Sequence, residues 1–370
     1  MKKPLIVLTG PTAVGKTRLS ISLAKAIGGE IISADSMQVY KYMDIGSAKI
    51  LPEEMQGVPH YLVDELMPEE EFHIVRFQQM AKDAMEKIYT RGHIPILVGG
   101  TGFYLPAVTR DIDFTQAEQD DGYRADLEAI VQEKGAAYLH QMLAEVDPKS
   151  AEVIHENNTK RVIRALEFYH QNHSPISAHN EEQQERTSPY NLAYFVLNAP
   201  RELLYKRIDK RVDEMMTSGL VAEVQKLKDM GYHRGMVSMQ GLGYKEILAY
   251  LDGEMPLEEA VRILKRDTRH FAKRQLTWFR RTEGAKWLFW GPEPDFEAAC
   301  RTSTKYLEEF GLVSRHSGRA LLRLKEKRSA HQAENQQSAG DRPHPGPPGP
   351  PPRHHLSDER VSDAGLCHRL

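Results

Sequence analysis

The segment Gly10-Pro11-Thr12-Ala13-Val14-Gly15-Lys16-Thr17 constrains this chain more than any other stretch. It fits G-x4-G-K-[ST], and it lies between an apolar run, Leu5–Leu8, and a stretch of helical periodicity, Thr17–Ile27. A strand that turns through glycines into a helix wraps its backbone so that successive N–H groups point inward. The helix adds the positive end of its dipole to that anion site. The spacing therefore predicts a phosphate cradle built from Gly10, Pro11, Thr12, Ala13, Val14, Gly15, Lys16 and Thr17. Lys16 is expected to reach the outer phosphate and Thr17 to place its hydroxyl on Mg²⁺. Such a cradle specifies a phosphorylated or diphosphorylated ligand and leaves the reaction open.

Further short apolar runs follow that first strand: Glu30–Ser33, Tyr61–Val63, Ile94–Val98, Tyr194–Leu197 and Trp287–Trp290. Runs this continuous suit strands covered on both faces, and their alternation with helical stretches argues a parallel α/β sheet. Between about Gln116 and Ser188 the strand pattern stops, and Arg124–Lys134, Ala136–Glu145, Pro148–Ile154 and Thr159–His170 read as helices. Helices resume with Arg201–Ser218, Leu220–Met230 and Leu257–Arg281. The expected organisation is an α/β core over 1–115, a helical insertion over 116–188, the remainder of the core with basic helices over 189–313, and a tail over 314–370. The tail carries Arg342-Pro343-His344-Pro345-Gly346-Pro347-Pro348-Gly349-Pro350-Pro351-Pro352, which cannot form regular helix or sheet because proline removes a donor and fixes φ.

Composition narrows the partners. With 40% apolar and 27% charged residues, wholesale disorder is excluded. No apolar run approaches the ~20 residues a membrane helix needs, and the apolar run after Met1-Lys2-Lys3-Pro4 is too short for a signal peptide. Cys300 and Cys367 offer neither a disulfide framework nor metal-ligand spacing, so a reduced, cytoplasmic location is expected. The net charge of -3 hides an asymmetry. Residues from 314 onward carry ten Lys+Arg against six Asp+Glu, which leaves 1–313 at -7. A polyanion must therefore be held by local basic patches rather than by a global field.

Such patches exist. Arg262, Arg266, Arg269, Lys273 and Arg280 recur at spacings that share one helical face, widened by Lys265, Arg274 and Arg281. Lys160, Arg161 and Arg164 form a second cluster in the insertion. Lys206, Arg207, Lys210 and Arg211 form a third, able to turn one arginine toward the cradle. A solvated charged face competes with a phosphate-backbone track as the reading of each. Ligands bind at the carboxyl edge of a parallel sheet, where Asp35 follows the second apolar run and Gly99-Gly100-Thr101-Gly102 follows the fourth. Asp64, after Tyr61–Val63, offers a metal carboxylate of the kind an ATP-dependent kinase uses.

Taken together, GPTAVGKT (10–17), SADSMQVYKYMDIGSAK (33–49), GGTGFY (99–104), KRVIRALEFY (160–169), RVDEMMTSGLVAEV (211–224), QGLGYKE (240–246) and KRQLTWFRR (273–281) resemble the tRNA dimethylallyltransferases, also called tRNA isopentenyltransferases. The resemblance covers residues 1–313. Tyr42 stands where the family often has glycine and Ser47 where it often has threonine. The resemblance implies a nucleotide-kinase-like P-loop core whose cradle takes dimethylallyl diphosphate rather than ATP. It implies an insertion that grips the anticodon stem-loop, and prenyl transfer to N6 of adenosine 37 of tRNA. It further implies Asp35 as the group that orients N6 and takes its proton, Thr101 as a hydrogen-bonding group at the reacting centre, and Arg211 as a guanidinium on the departing diphosphate. Asp35, Ser36, Met37, Gln38, Thr101, Arg124, Lys160, Arg161, Arg164, Gln240, Gly243, Tyr244, Lys245, Lys273, Arg274, Gln275 and Arg280 would face the tRNA, with Trp278 and Phe279 as stacking candidates. A monomer without a membrane partner is expected. Two rivals remain: a P-loop kinase using Asp64 or Asp35 on magnesium, and a non-catalytic RNA-binding module whose loop holds a structural anion.

Overall fold

The computed structural model describes residues 2–114 and 121–313. The proline-rich tail and Cys367 lie outside the described residues, as do 115–120. Six strands, β1 (Pro4–Thr9), β2 (Gly29–Ser33), β3 (His60–Tyr61), β4 (Ile94–Gly99), β5 (Asn191–Asn198) and β6 (Lys286–Phe289), form one sheet in the order β3-β2-β4-β1-β5-β6. Every pairing is parallel. The alternation of apolar runs with helices foretells this arrangement.

The reason the strands read as unbroken apolar runs is visible in their two faces. Leu5 and Val7 belong to one core, with Ile32, Leu97 and Val196; Ile6 and Leu8 belong to another, with Ile31, Ile96 and Leu197. Both faces are dry. Each such buried aliphatic side chain contributes about 1.5–3 kcal/mol relative to exposure. Helix α1 (Lys16–Ile27) and α13 (Phe296–Glu309) cover the second face. The first is covered by α2 (Ile74–Thr90), α3 (Tyr104–Thr109), α10 (Leu220–Asp229) and α11 (Tyr244–Leu251), while α9 (Arg201–Thr217) and α12 (Leu257–Phe279) reach both, through Val212, Leu264 and Phe279 to the first core and through Leu204, Ile208 and Ala272 to the second.

Between α3 and β5 the chain is helical: α4 (Asp121–Lys134), α5 (Ala136–Val146), α6 (Pro148–Val153), α7 (Thr159–Asn172) and α8 (Ile176–Glu185). Leu127, Leu139, Leu143, Val162 and Leu166 give α4, α5 and α7 an apolar cluster of their own. One buried carboxylate ties two helix starts together. Asp147 accepts from the backbone N–H and hydroxyl of Ser150 at 3.1 and 2.7 Å, and from those of Ser177 at 3.0 and 2.6 Å.

The strand bounds differ from expectation, β2 and β4 by one residue and β5 by starting three residues earlier, at Asn191, and ending at Asn198. β3 covers His60–Tyr61 rather than Tyr61–Val63, because Leu62 and Asp64 take φ of 60° and 59° and turn the chain off the sheet edge. β6 starts one residue earlier than expected and ends at Phe289.

Candidate active site at the carboxyl edge of the sheet

The ends of β1, β2 and β4 are knitted side by side. Thr9 Oγ1 donates to the Gly99 carbonyl at 2.6 Å, and the Ala34 N–H donates to Val98 at 2.7 Å. Out of this edge rise the three segments singled out in the sequence: the loop after β1, the turn carrying Asp35, and the turn carrying Thr101.

The loop after β1 is a cradle by its backbone. Gly10 has φ of 149°, and a Cβ there would stand 2.5 Å from the Leu197 carbonyl oxygen, so no other residue fits. Ala13 and Gly15 also take positive φ, at 62° and 99°. Among the described residues the amides of Ala13 and Gly15 have no acceptor. Lys16 Nζ lies back over the loop, donating to the Gly10 and Pro11 carbonyls at 2.9 Å each. Part of its side chain stays accessible, yet desolvation pushes the amine down to about 7, with repulsion from Arg211 adding to the effect and Asp35 opposing it. Burial likewise lowers Arg211, against the attraction of Glu214 and Asp35. The third basic cluster thus contributes one arginine to the cradle while Lys206 and Lys210 stay exposed.

Asp35 is half-buried; its Oδ1 accepts from the Met37 N–H at 2.8 Å and the Gln38 N–H at 3.3 Å. These bonds fix one carboxylate oxygen, and the charge of Asp35 acts on both Lys16 and Arg211. Thr101 is buried beside it, its N–H donating to the Ala34 carbonyl at 3.4 Å.

A contact that sequence reasoning assigned to RNA closes the site. Gln275 is buried on α12. It accepts from the Thr12 N–H at 2.9 Å and donates to the Gly100 carbonyl at 2.9 Å, so one amide holds the phosphate loop against the β4 turn. A Cβ on Gly100 would lie 2.2 Å from Gln275 Nε2. Helical spacing puts Gln275 on the buried face with Ala272 and Phe279, apart from exposed Lys273 and Arg274, but it does not reveal the partners Thr12 and Gly100.

The donor set fits magnesium without a protein cage. Among the described residues no three His, Cys, Asp or Glu side chains converge, while Thr17 is exposed at the mouth of the loop. One hydroxyl completed by phosphate oxygens and water is an all-oxygen set of the kind Mg²⁺ takes. Asp64 is engaged elsewhere: Lys49 Nζ, buried, binds its Oδ1 at 2.9 Å, Asp44 Oδ1 at 2.6 Å and the Tyr40 carbonyl at 2.6 Å. Lys49 thus occupies one oxygen of Asp64, and of the two carboxylates a kinase reading could use, Asp35 is the one beside the cradle.

The residues expected to face RNA fall into two groups. Lys160, Arg161, Gln240, Lys273, Arg274 and Arg280 are exposed; Ser36, Met37, Gln38, Arg164 and Lys245 are partly so. His270, Lys273, Arg274, Thr277, Trp278 and Arg281 line an open cleft of about 370 Å³. By contrast, Tyr244 is fully buried and donates its hydroxyl to Glu223 at 2.8 Å, Gly243 is buried at its side, and Arg124 is bound twice at 2.7 Å to the buried Glu167. Phe279 is core, whereas Trp278 is 40% exposed. The amino-terminal half of the basic stripe is paired: Arg262 with Glu259, Arg266 with Asp267, Arg269 with Asp209, Lys265 with Asp213. Only its carboxyl-terminal half presents unpaired charge among the described residues.

Residues 38–282 match the model of the IPP transferase family. The chain is 63% identical to the tRNA dimethylallyltransferase of Lachnoclostridium phytofermentans over 77% of this chain and 91% of that protein. The chain belongs to the IPP transferase family. It is also 52% identical to the tRNA dimethylallyltransferase of Carboxydothermus hydrogenoformans, over 79% of this chain and 94% of the relative. Among solved structures, the tRNA isopentenylpyrophosphate transferase of Bacillus halodurans superposes with a TM-score of 0.63 at 44% identity, covering 84% of this chain and 98% of that one. A eukaryotic dimethylallyltransferase acting on tRNA superposes at 0.73 with 30% identity, over 83% and 80%. In this family member the phosphate loop precedes the matched stretch, which begins at Gln38.

Proposed function

We propose that the chain transfers the dimethylallyl group of dimethylallyl diphosphate to N6 of adenosine 37 in tRNAs, giving N6-(dimethylallyl)adenosine and diphosphate. The observation that carries this reading is the glycine-shaped loop after β1, with Lys16 folded over its Gly10 and Pro11 carbonyls and the Asp35 turn at the neighbouring strand end. Its membership of the IPP transferase family supports the substrates.

The exocyclic amine of adenine is a weak nucleophile, so the step needs a stabilised leaving group and a proton acceptor. N6 forms a bond to the allylic carbon as that carbon's bond to oxygen breaks. The electron pair departs on the diphosphate, and the N6 proton passes to Asp35. Loop amides, Lys16 and Arg211 neutralise the charge that develops, the guanidinium through its planar fork. Thr17 would hold Mg²⁺, which would add positive charge at the diphosphate. Thr101, fixed beside Asp35, supplies a hydroxyl to the adenine or the bridging oxygen. The adenine leaves its loop stack to react, at a cost of a few kcal/mol that an unpaired base keeps low. Ser36, Gln38, Gln240, Lys245, Lys273, Arg274 and Arg280 would meet the RNA, together with Lys160, Arg161 and Arg164 of the insertion.

The chain is read as a monomer, and its cysteine usage supports the cytoplasm. The test is incubation with dimethylallyl diphosphate, Mg²⁺ and unmodified tRNA, followed by mass analysis of the nucleosides. A five-carbon gain on adenosine is expected, and none with ATP as donor. Phosphoryl transfer from ATP without prenyl transfer would overturn the reading.

A further inference from the structure

Helix α10 carries a carboxylate placed against a strand of backbone far from it in sequence. Glu223 Oε2 accepts from the Asp44 N–H at 3.1 Å and the Ile45 N–H at 2.7 Å. Its Oε1 accepts from the Gly46 N–H at 3.1 Å and the Tyr244 hydroxyl at 2.8 Å. Three consecutive amides thus converge on one side chain, which is the geometry of an anion nest, here filled from within the protein. Gly46 is obligatory at this point, since a Cβ would stand 2.6 Å from the Tyr244 ring.

The bonds continue from the nest to the catalytic turn. Gln38 Nε2 donates to the Ala48 carbonyl at 3.1 Å, two residues beyond the nest, and the Gln38 N–H donates to Asp35 Oδ1 at 3.3 Å. Lys49 closes the same loop from its other side through Tyr40 and Asp44. Neither Glu223 nor Asp44–Gly46 lies in the phosphate cradle.

We propose that Glu223 is a positioning residue for the RNA acceptor. By gripping Asp44–Gly46 it sets the Ala48 carbonyl that holds Gln38, and through Gln38 it sets the turn that aims Asp35 at the incoming adenine. The proposal rests on the prenyl-transfer reading for its acceptor, while the nest itself is independent of that reading. A charged acceptor with two oxygens is what four donors require. A glutamine can satisfy only part of the set, because its amide nitrogen presents hydrogens to an N–H.

The test uses the full chain with Glu223→Ala, Glu223→Gln, Gln38→Ala and the Glu223→Ala/Gln38→Ala double variant. Hydrogen exchange reads the nest without any substrate: amides 44–46 should lose protection in Glu223→Ala. Unchanged protection would overturn the proposal whatever reaction the enzyme performs. In transfer assays, kcat/KM for an unmodified anticodon stem-loop should fall at least ~10-fold in Glu223→Ala and less in Glu223→Gln, with the dissociation constant for dimethylallyl diphosphate within twofold of wild type. The double variant should be no worse than the poorer single, because both substitutions cut one chain of contacts. Additive losses, or an equal loss of donor binding, would show that Glu223 acts on the fold at large and refute the positioning role. If the wild type transfers no prenyl group at all, the functional reading fails, and the exchange data still judge the nest.

Discussion

Lys16 gives the sharpest test of the cradle, because its proton is linked to the ligand. In the ligand-free protein desolvation, reinforced by Arg211, holds its amine at about 7. About one cradle in ten is then charged at pH 8, whereas a bound diphosphate restores the charge by placing anionic oxygens beside the amine. Binding dimethylallyl diphosphate at pH 8 should therefore take up ~0.9 proton, and affinity should fall by up to ~10-fold per pH unit between pH 7.5 and 9. Titration calorimetry in two buffers of different ionisation enthalpy reads the uptake directly, without tRNA. In Lys16→Met both the uptake and the pH slope should vanish. The sign for stability is the reverse of the usual lysine. A folded value below the unfolded one means the native state binds fewer protons between pH 7 and 10.5, so stability rises with pH across that window. Lys16→Met should accordingly raise the melting temperature of the ligand-free protein most at pH 6 and progressively less above pH 7. Equal heats in the two buffers, or a pH slope that survives in Lys16→Met, would refute the placement of this amine on the diphosphate.

Three other outcomes follow from the geometry. Asp35→Ala should lower turnover by about 10²-fold or more while donor affinity at pH 6.5 stays near wild type, as single-turnover kinetics and calorimetry would show. Replacing Lys273 and Arg274 together by Ala should weaken tRNA binding and reduce the slope of log K against log salt by up to ~2, measured by filter binding; an unchanged slope would make the outer face of α12 a solvated surface. Asp147→Ala should destabilise the helical insertion by about 2–3 kcal/mol in chemical denaturation, since it strands two buried donors of Ser150 and two half-buried donors of Ser177 at two helix starts. Burial opposes ionisation of Asp147 but its four hydrogen bonds outweigh it and hold the carboxyl below its ordinary value, so this contribution should persist from neutral pH downward and be lost only as pH falls through that depressed value.

How far the sequence reaches can be judged residue by residue. The cradle was legible because its chemistry is local: glycines, a lysine and a helix start within eight positions. The strands were legible because both faces are buried, so each appears as a solid apolar run. What escaped was long-range and chemically ambiguous. Gln275 and Arg274 are adjacent polar residues on one helix, yet one is a buried clamp and the other solvent-facing. Tyr244 sits in a segment that resembles an RNA-facing motif and is instead packed against Gly46. The basic stripe looked uniform, but Asp209 and Asp213 on α9 neutralise part of it from across a helix interface. Asp64 ends an apolar run as a metal carboxylate would, and in the fold Lys49 binds one of its oxygens. In each case the deciding partner lies far away in the chain, beyond the reach of periodicity.

The amide of Gln275 gives α12 two hands on the reaction edge, one on Thr12 and one on Gly100. Its immediate neighbours on the outer surface are the charges that a polyanion would pull on. Tension applied from outside is therefore delivered to the floor of the cradle within a single helical turn, with no hinge or slack loop between. Under the proposed RNA contact, a substitution that moves α12 would also move the loop that Gln275 holds, so the two affinities would be coupled through this helix.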